Sequence, residues 1–186
     1  CISWEESRKY FPASKTILTG NPIRSDLCQT DKKPNAIPFF NFKLPIIFVT
    51  GGNQGSHVIN MIVKELLPYL LTRYSLIHQC GGHLGFNDEY ELKKYVKLLP
   101  ENLQKNYFVI SHISSQDMGI VFDKAILVIG RSGINTVSEL VLFQKKAILI
   151  PLPFAQGNEQ EINGRFLEKL GLGMVINQNE LTVNKL

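Results

Sequence analysis

No apolar run in this chain reaches the roughly 18–20 residues that a helix needs to cross a bilayer, so no membrane-spanning segment is expected. Cysteine is scarce as well. Cys1, Cys28 and Cys80 are odd in number and form no C-x-x-C pair, which argues against a disulfide framework and against a zinc site. With no signal peptide in view, they read as reduced cytosolic thiols. The histidines, His57, His78, His83 and His112, have no metal-ligand spacing and adjoin no nucleophile motif. Each reads as a structural or surface residue, and no metal is expected. Neither a G-x-G-x-x-G fingerprint nor the lysine of a P-loop is present, which counts against a dinucleotide oxidoreductase and a triphosphate hydrolase. Positive charge is not concentrated: the net charge is only +4, and the lysine pairs at 32–33, 93–94 and 145–146 are scattered, with no interleaved aromatics. They read as solvated surface, and no nucleic-acid partner is expected. Internal repeats and low-complexity tracts are missing too.

What is present is a globular chain of 186 residues, long enough for one domain with a full core. Short apolar runs at 15–18, 45–50, 75–79, 107–110, 125–129, 147–150 and 174–176 predict strands. Between them, helical stretches are predicted at about 56–71, 88–98, 115–123, 135–143 and 159–170. In the first of these, Val58, Ile62, Val63, Leu66, Leu67 and Leu70 form the expected apolar face. Strands alternating with helices imply right-handed crossovers, hence an α/β fold: a Rossmann-like parallel sheet with helices on both faces. Residues 30–44, with Pro34 and Pro38, read as an exposed connection. The chain starts on Cys1 and stops at Leu186 in mid-pattern, and so reads as a fragment.

The stretch Gly130-Arg-Ser-Gly-Ile-Asn-Thr-Val-Ser-Glu139 follows one apolar strand and opens a helix. A small turn there gathers unpaired N–H groups at the positive end of a helix dipole, which suits a phosphate. Glu139, about two turns in, would repel a phosphate but can accept hydrogen bonds from two vicinal hydroxyls. Together they suggest a nucleotide that carries a ribose. Thr50-Gly-Gly-Asn-Gln-Gly-Ser56 also joins a strand to a helix, with glycines that let backbone approach a ligand and Ser56 as a candidate cap; a tight structural turn is the alternative. Gly20-Asn-Pro-Ile-Arg24 reads alone as an ordinary turn. In Pro151–Asn163, Gln160 and Asn163 share a helical face, and capping or surface polarity explains each by itself.

Taken in order, Thr19-Gly-Asn-Pro-Ile-Arg24, Gly51-Gly-Asn-Gln-Gly55, Arg131–Glu139 and Gln160-x-x-Asn163 resemble the carboxyl-terminal half of a bacterial transferase family. Its members add N-acetylglucosamine to lipid I, giving lipid II, in peptidoglycan synthesis. The resemblance runs from about Tyr10 to the end of the chain. It implies one half of a two-domain GT-B glycosyltransferase, with residues 1–14 closing a preceding domain or linker and 15–186 holding UDP-N-acetylglucosamine. By the same resemblance, Arg24, Asn53 and Gln54 lie near the nucleotide-sugar, and the Ile113 backbone meets uracil. Gly133, Ile134, Asn135, Thr136, Val137, Ser138 and Glu139 would line the diphosphate and ribose, with Glu139 on the ribose hydroxyls. Gln160 would reach the sugar, with Asn163 beside it. No cofactor or metal is implied, and the catalytic base would belong to the other domain, so this chain alone is expected to transfer nothing. The acceptor would make the whole protein peripheral to the cytoplasmic face of the bacterial inner membrane. Asn53 stands where the family usually has Ser, and Glu159 and Glu161 add negative charge near an anionic ligand. The loop at 112–118, which carries Ile113, is longer than the family's usual one. Two rivals remain: a non-catalytic nucleotide-sugar-binding subunit of a two-chain transferase, and a transferase using another UDP-sugar.

Overall fold

The computed structural model describes residues 1–28, 30, 37, 42–82 and 85–186. Most of the connection expected at 30–44, the lysine pair 32–33 and His83 lie outside the described residues. Six strands, β1 (Ile46–Thr50), β2 (Ser75–Gln79), β3 (Tyr107–Ile110), β4 (Ala125–Gly130), β5 (Lys146–Leu149) and β6 (Gly173–Val175), form one sheet. Every neighbouring pair is parallel, in the order β3-β2-β1-β4-β5-β6. The helices are α1 (His57–Leu70), α2 (Asp88–Val96), the short α3 (Glu101–Gln104), α4 (Ser115–Lys124), α5 (Ile134–Leu142) and α6 (Glu159–Lys169).

Period-two alternation along β1 sends Ile47 and Val49 into one core and Ile46 and Phe48 into the other, because successive side chains of a strand point to opposite faces. The first core is closed by α1 and α2 through Ile59, Val63, Leu67 and Leu92. The second is closed by α4, α5 and α6 through Val121, Phe122, Val137, Leu140 and Leu167. A sheet covered on both faces explains why its central strands are apolar runs rather than alternating ones.

Two expectations need correction. Residues 15–18 are no sheet strand: a 3-10 turn at Ala13–Lys15 leads into a single bridge between Ile2 and Leu18, with Ile17 and Leu18 left exposed. Apolar residues there find no sheet edge to join. The buried face of α1 is also rotated by about one residue, to Ile59, Asn60, Val63 and Leu67, with Val58 exposed. Asn60 fits in that face because its amide donates to the Cys80 carbonyl at 2.9 Å and to Asp88 at 2.7 Å, while its oxygen meets His78 Nε2 at 2.9 Å. Burial then drives the His78 pKa down to about 3 against the smaller opposing pull of Asp88, so the imidazole is neutral.

The loops after β1 and β2 touch through Gly55 and Gly81, both at positive φ (81° and 80°). A Cβ on Gly55 would run into the Cys80 carbonyl. Gly55→Ala is therefore expected to cost at least about 2 kcal/mol, lowering Tm by roughly 4–8 °C, through left-handed strain plus the clash. Thermal unfolding checks it, and an unchanged Tm would mean that the two loops can separate freely.

Candidate functional site

Strand order reverses between β1 and β4, and a crevice opens outside the carboxyl ends of these two strands, where sheets of this kind bind ligands. The strands approach closely: a side chain on Gly130 would strike the Thr50 carbonyl. Helices α1 and α5 begin on either side of the crevice, and neither is capped by a side chain. The cap position of α5 is Gly133, which has none to offer, and Ser56 at the start of α1 is drawn elsewhere. By contrast α4 is closed by Ser114 Oγ, which accepts from the Asp117 N–H at 3.1 Å. Two dipoles thus present open N–H groups at the switch point.

A cleft of about 490 Å³ occupies this place. Asn21–Arg24 supply one wall, Gly52 and Asn53 the β1 loop, and Gly133–Thr136, Ser138 and Glu139 the first turns of α5. Thus Arg24, Asn53, Gly133, Ile134, Asn135, Thr136, Ser138 and Glu139 are brought together as expected from the sequence. Asn135 Oδ1 accepts from Asn21 Nδ2 at 3.0 Å, tying the 20–24 segment to α5. Ser138 Oγ donates back to the Ile134 carbonyl at 2.8 Å. The Glu139 side chain is only 15% exposed, and Arg24 Nη2 lies 3.9 Å from its Oε1. Burial raises the Glu139 pKa to about 7; Arg24 opposes that rise and Asp26 adds to it.

The other expected residues stand elsewhere. Val137 is fully buried in the core beneath α5. Gln54 is exposed on the outer turn of the β1 loop, away from the cleft lining. Ile113 is buried, and its N–H is donated to Gln79 Oε1 at 2.9 Å. Gln160 Oε1 accepts from the Leu152 N–H at 3.0 Å, holding the loop after β5. Asn163 is 2% exposed and donates to the Ser132 carbonyl at 3.0 Å, while its oxygen accepts from the Trp4 indole at 2.7 Å. That ring packs on Phe166, with centroids 4.2 Å apart, so the start of the chain rests on α6. Glu159 lines the cleft, whereas Glu161 is spent on Arg165 at 2.8 Å.

Two residues escaped the reading of the sequence. Gln79 ends β2 fully buried and lines the cleft; besides holding Ile113, it donates to Thr50 Oγ1 and to the Gly52 carbonyl, both at 3.3 Å. The signal available was an amide closing an otherwise apolar strand at the carboxyl edge. Arg131, the first residue after β4, turns its guanidinium inward instead of into solvent.

A parallel sheet of this strand order, with a cleft at its switch point between two open helix starts, defines a Rossmann-like α/β domain. The profile of the glycosyltransferase family 28 C-terminal domain matches residues 46–186, and the chain belongs to that family. A Bacillus anthracis protein named UDP-N-acetylglucosamine–N-acetylmuramyl-(pentapeptide) pyrophosphoryl-undecaprenol N-acetylglucosamine transferase 2 is 33% identical over 189 aligned positions, covering 100% of this chain and 49% of that protein. A Clostridium perfringens transferase of the same name, without the numeral, is 37% identical over 184 positions, covering 97% and 48%. The crystal structure of Acinetobacter baumannii MurG superposes with a TM-score of 0.71 at 26% identity, over 95% of this chain and 47% of that one. The chain spans about half the length of the relatives it matches.

Proposed function

We propose that this chain is the donor-binding half of an inverting glycosyltransferase, that it holds UDP-N-acetylglucosamine, and that the whole protein transfers the sugar to lipid I to give lipid II. The observation that carries the reading is the pairing of a partly buried carboxylate, Glu139, with open helix N-termini in one cleft. The N-termini and Arg24 suit a diphosphate, and Glu139 suits the ribose hydroxyls. The names of the relatives supply the sugar and the acceptor. In this reading residues 15–186 form the donor domain, and residues 1–14 lead in from an acceptor domain that contributes the base.

On transfer, that base takes the proton of the acceptor hydroxyl as the hydroxyl attacks the anomeric carbon. The bond to the UDP oxygen breaks, and the start of α5 with Arg24 stabilises the charge growing on the diphosphate. Gln160 and Asn163 would act on the sugar side through the loops they hold, after β5 and after β4 respectively, rather than by direct contact. The lipid acceptor would bring the whole protein to the cytoplasmic face of the membrane as a peripheral protein.

Titrating the chain with UDP, UDP-N-acetylglucosamine, UDP-galactose and NAD tests the reading. UDP-N-acetylglucosamine is expected to bind more tightly than UDP-galactose, and NAD not at all. The chain alone is expected to transfer no sugar to a lipid I analogue. Preference for UDP-galactose would move the assignment to another UDP-sugar, and preference for NAD would overturn it.

A further inference from the structure

Arg131 is partly buried, and among the described residues no carboxylate pairs with it. Its guanidinium donates to four neutral oxygens: the Ile150 and Pro151 carbonyls at 3.0 and 3.1 Å, Ser56 Oγ at 2.8 Å and Gln178 Oε1 at 2.6 Å. Its own N–H bonds the Thr50 carbonyl at 3.3 Å, which fixes the residue at the switch point between β1 and β4. The cation is costly: desolvation lowers its pKa to about 10, still well above neutrality, so the charge persists. A brace that only tied loops together could do so with neutral donors and avoid that cost. The bond to Ser56 also has a consequence at the helix start. Ser56 occupies the cap position of α1 but caps nothing, so the first N–H groups of α1 stay open.

We propose that Arg131 is a positioning residue for the anionic part of the ligand: its buried charge awaits the ligand's diphosphate as counter-ion, and its fork keeps the start of α1 open. Arg131 does not line the cleft, so it acts at a distance, through Ser56 and through its field in a low-dielectric interior. The inference rests on the donor-site reading above, and it goes further by assigning the diphosphate's affinity in part to a residue that need not touch it.

The sharpest test is Gln178→Glu. Gln178 Oε1 already accepts from Arg131, and the residue does not line the cleft, so a carboxylate there keeps the brace while cancelling the charge. Binding of UDP and of uridine would be followed by NMR titration of the whole chain, at low salt, for the parent, Gln178→Glu, Arg131→Lys and Arg131→Gln. The proposal expects Gln178→Glu and Arg131→Gln to weaken UDP roughly tenfold while uridine stays within about twofold, and Arg131→Lys, which keeps the charge but loses the fork, to weaken UDP less than Arg131→Gln does. UDP binding unchanged in Gln178→Glu would overturn it, as would equal losses for UDP and uridine in Arg131→Gln. Should Arg131→Gln not fold, Gln178→Glu decides the matter. A parent chain that binds no UDP at all would instead defeat the donor-site reading itself.

Discussion

Glu139→Ala is expected to weaken UDP binding by about 10- to 150-fold while the fold persists. A charged carboxylate that accepts two hydroxyl hydrogen bonds in a partly desolvated cleft is worth roughly 1.5–3 kcal/mol, and the exchange removes both bonds together. Uridine should lose affinity by a similar factor, since the ribose is common to both ligands. The same substitution should leave the chain no less stable above neutral pH, because the parent keeps this carboxylate there at a desolvation cost. Titration of both ligands against parent and mutant, with thermal unfolding alongside, checks the pair of expectations. Parent-like binding in the mutant would reduce Glu139 to a half-buried helix residue with no ligand role.

The second large effect is on pH. With its pKa raised to about 7, Glu139 is mostly protonated in the free chain at pH 5.5 and mostly ionised at pH 8. If only the carboxylate accepts the ribose hydroxyls, UDP-N-acetylglucosamine should bind up to about 30-fold more weakly at pH 5.5 than at pH 8. The nucleotide-sugar is the ligand to use, because its diphosphate does not titrate over this range. Stability should run the other way. A carboxyl group whose folded pKa lies above its unfolded value holds more protons in the folded state. Its contribution is therefore fully present below about pH 4.5 and is lost as pH rises through about 7. With a discount for partial exposure, the loss comes to about 1–2 kcal/mol. Glu139→Gln should flatten both profiles at once. A binding profile that keeps its slope in Glu139→Gln would assign the titration to another group.

The parallel sheet was legible in the sequence through physics, whereas the strand order came only with the structure. Apolar runs such as Ile46–Val49 and Ala125–Ile129, spaced by helix-length segments, forced a parallel sheet covered on both faces. The loops at Gly51–Ser56 and Arg131–Gly133 then had to share its carboxyl edge. Eight of the expected site residues line one cleft: most carry local signals, a turn, a helix start and a carboxylate at a fixed helical offset, whereas Arg24 came from the resemblance alone. Ile113, Gln160 and Asn163 differ in kind. Their backbone or amide groups are claimed by Gln79, Leu152, Ser132 and Trp4, partners up to 159 residues away, and no local pattern announces such bonds. Arg131 stood in the 130–139 stretch without a role of its own for the same reason, since its four acceptors lie in distant segments. The strand expected at 15–18 failed on tertiary grounds, as an apolar run becomes a strand only where a sheet edge is free to receive it.

The measurement closest to the central claim is a map of backbone amide shifts on adding UDP-N-acetylglucosamine to the isotope-labelled chain. The largest changes are expected at Gly52–Asn53, Gly133–Glu139 and Arg24, with smaller ones at Gln79 and Ser56. Shifts centred instead on the separate groove at Gly81–Gly82 and Gly85–Glu89, or on the groove that Asn177–Glu180 lines, would contradict that claim.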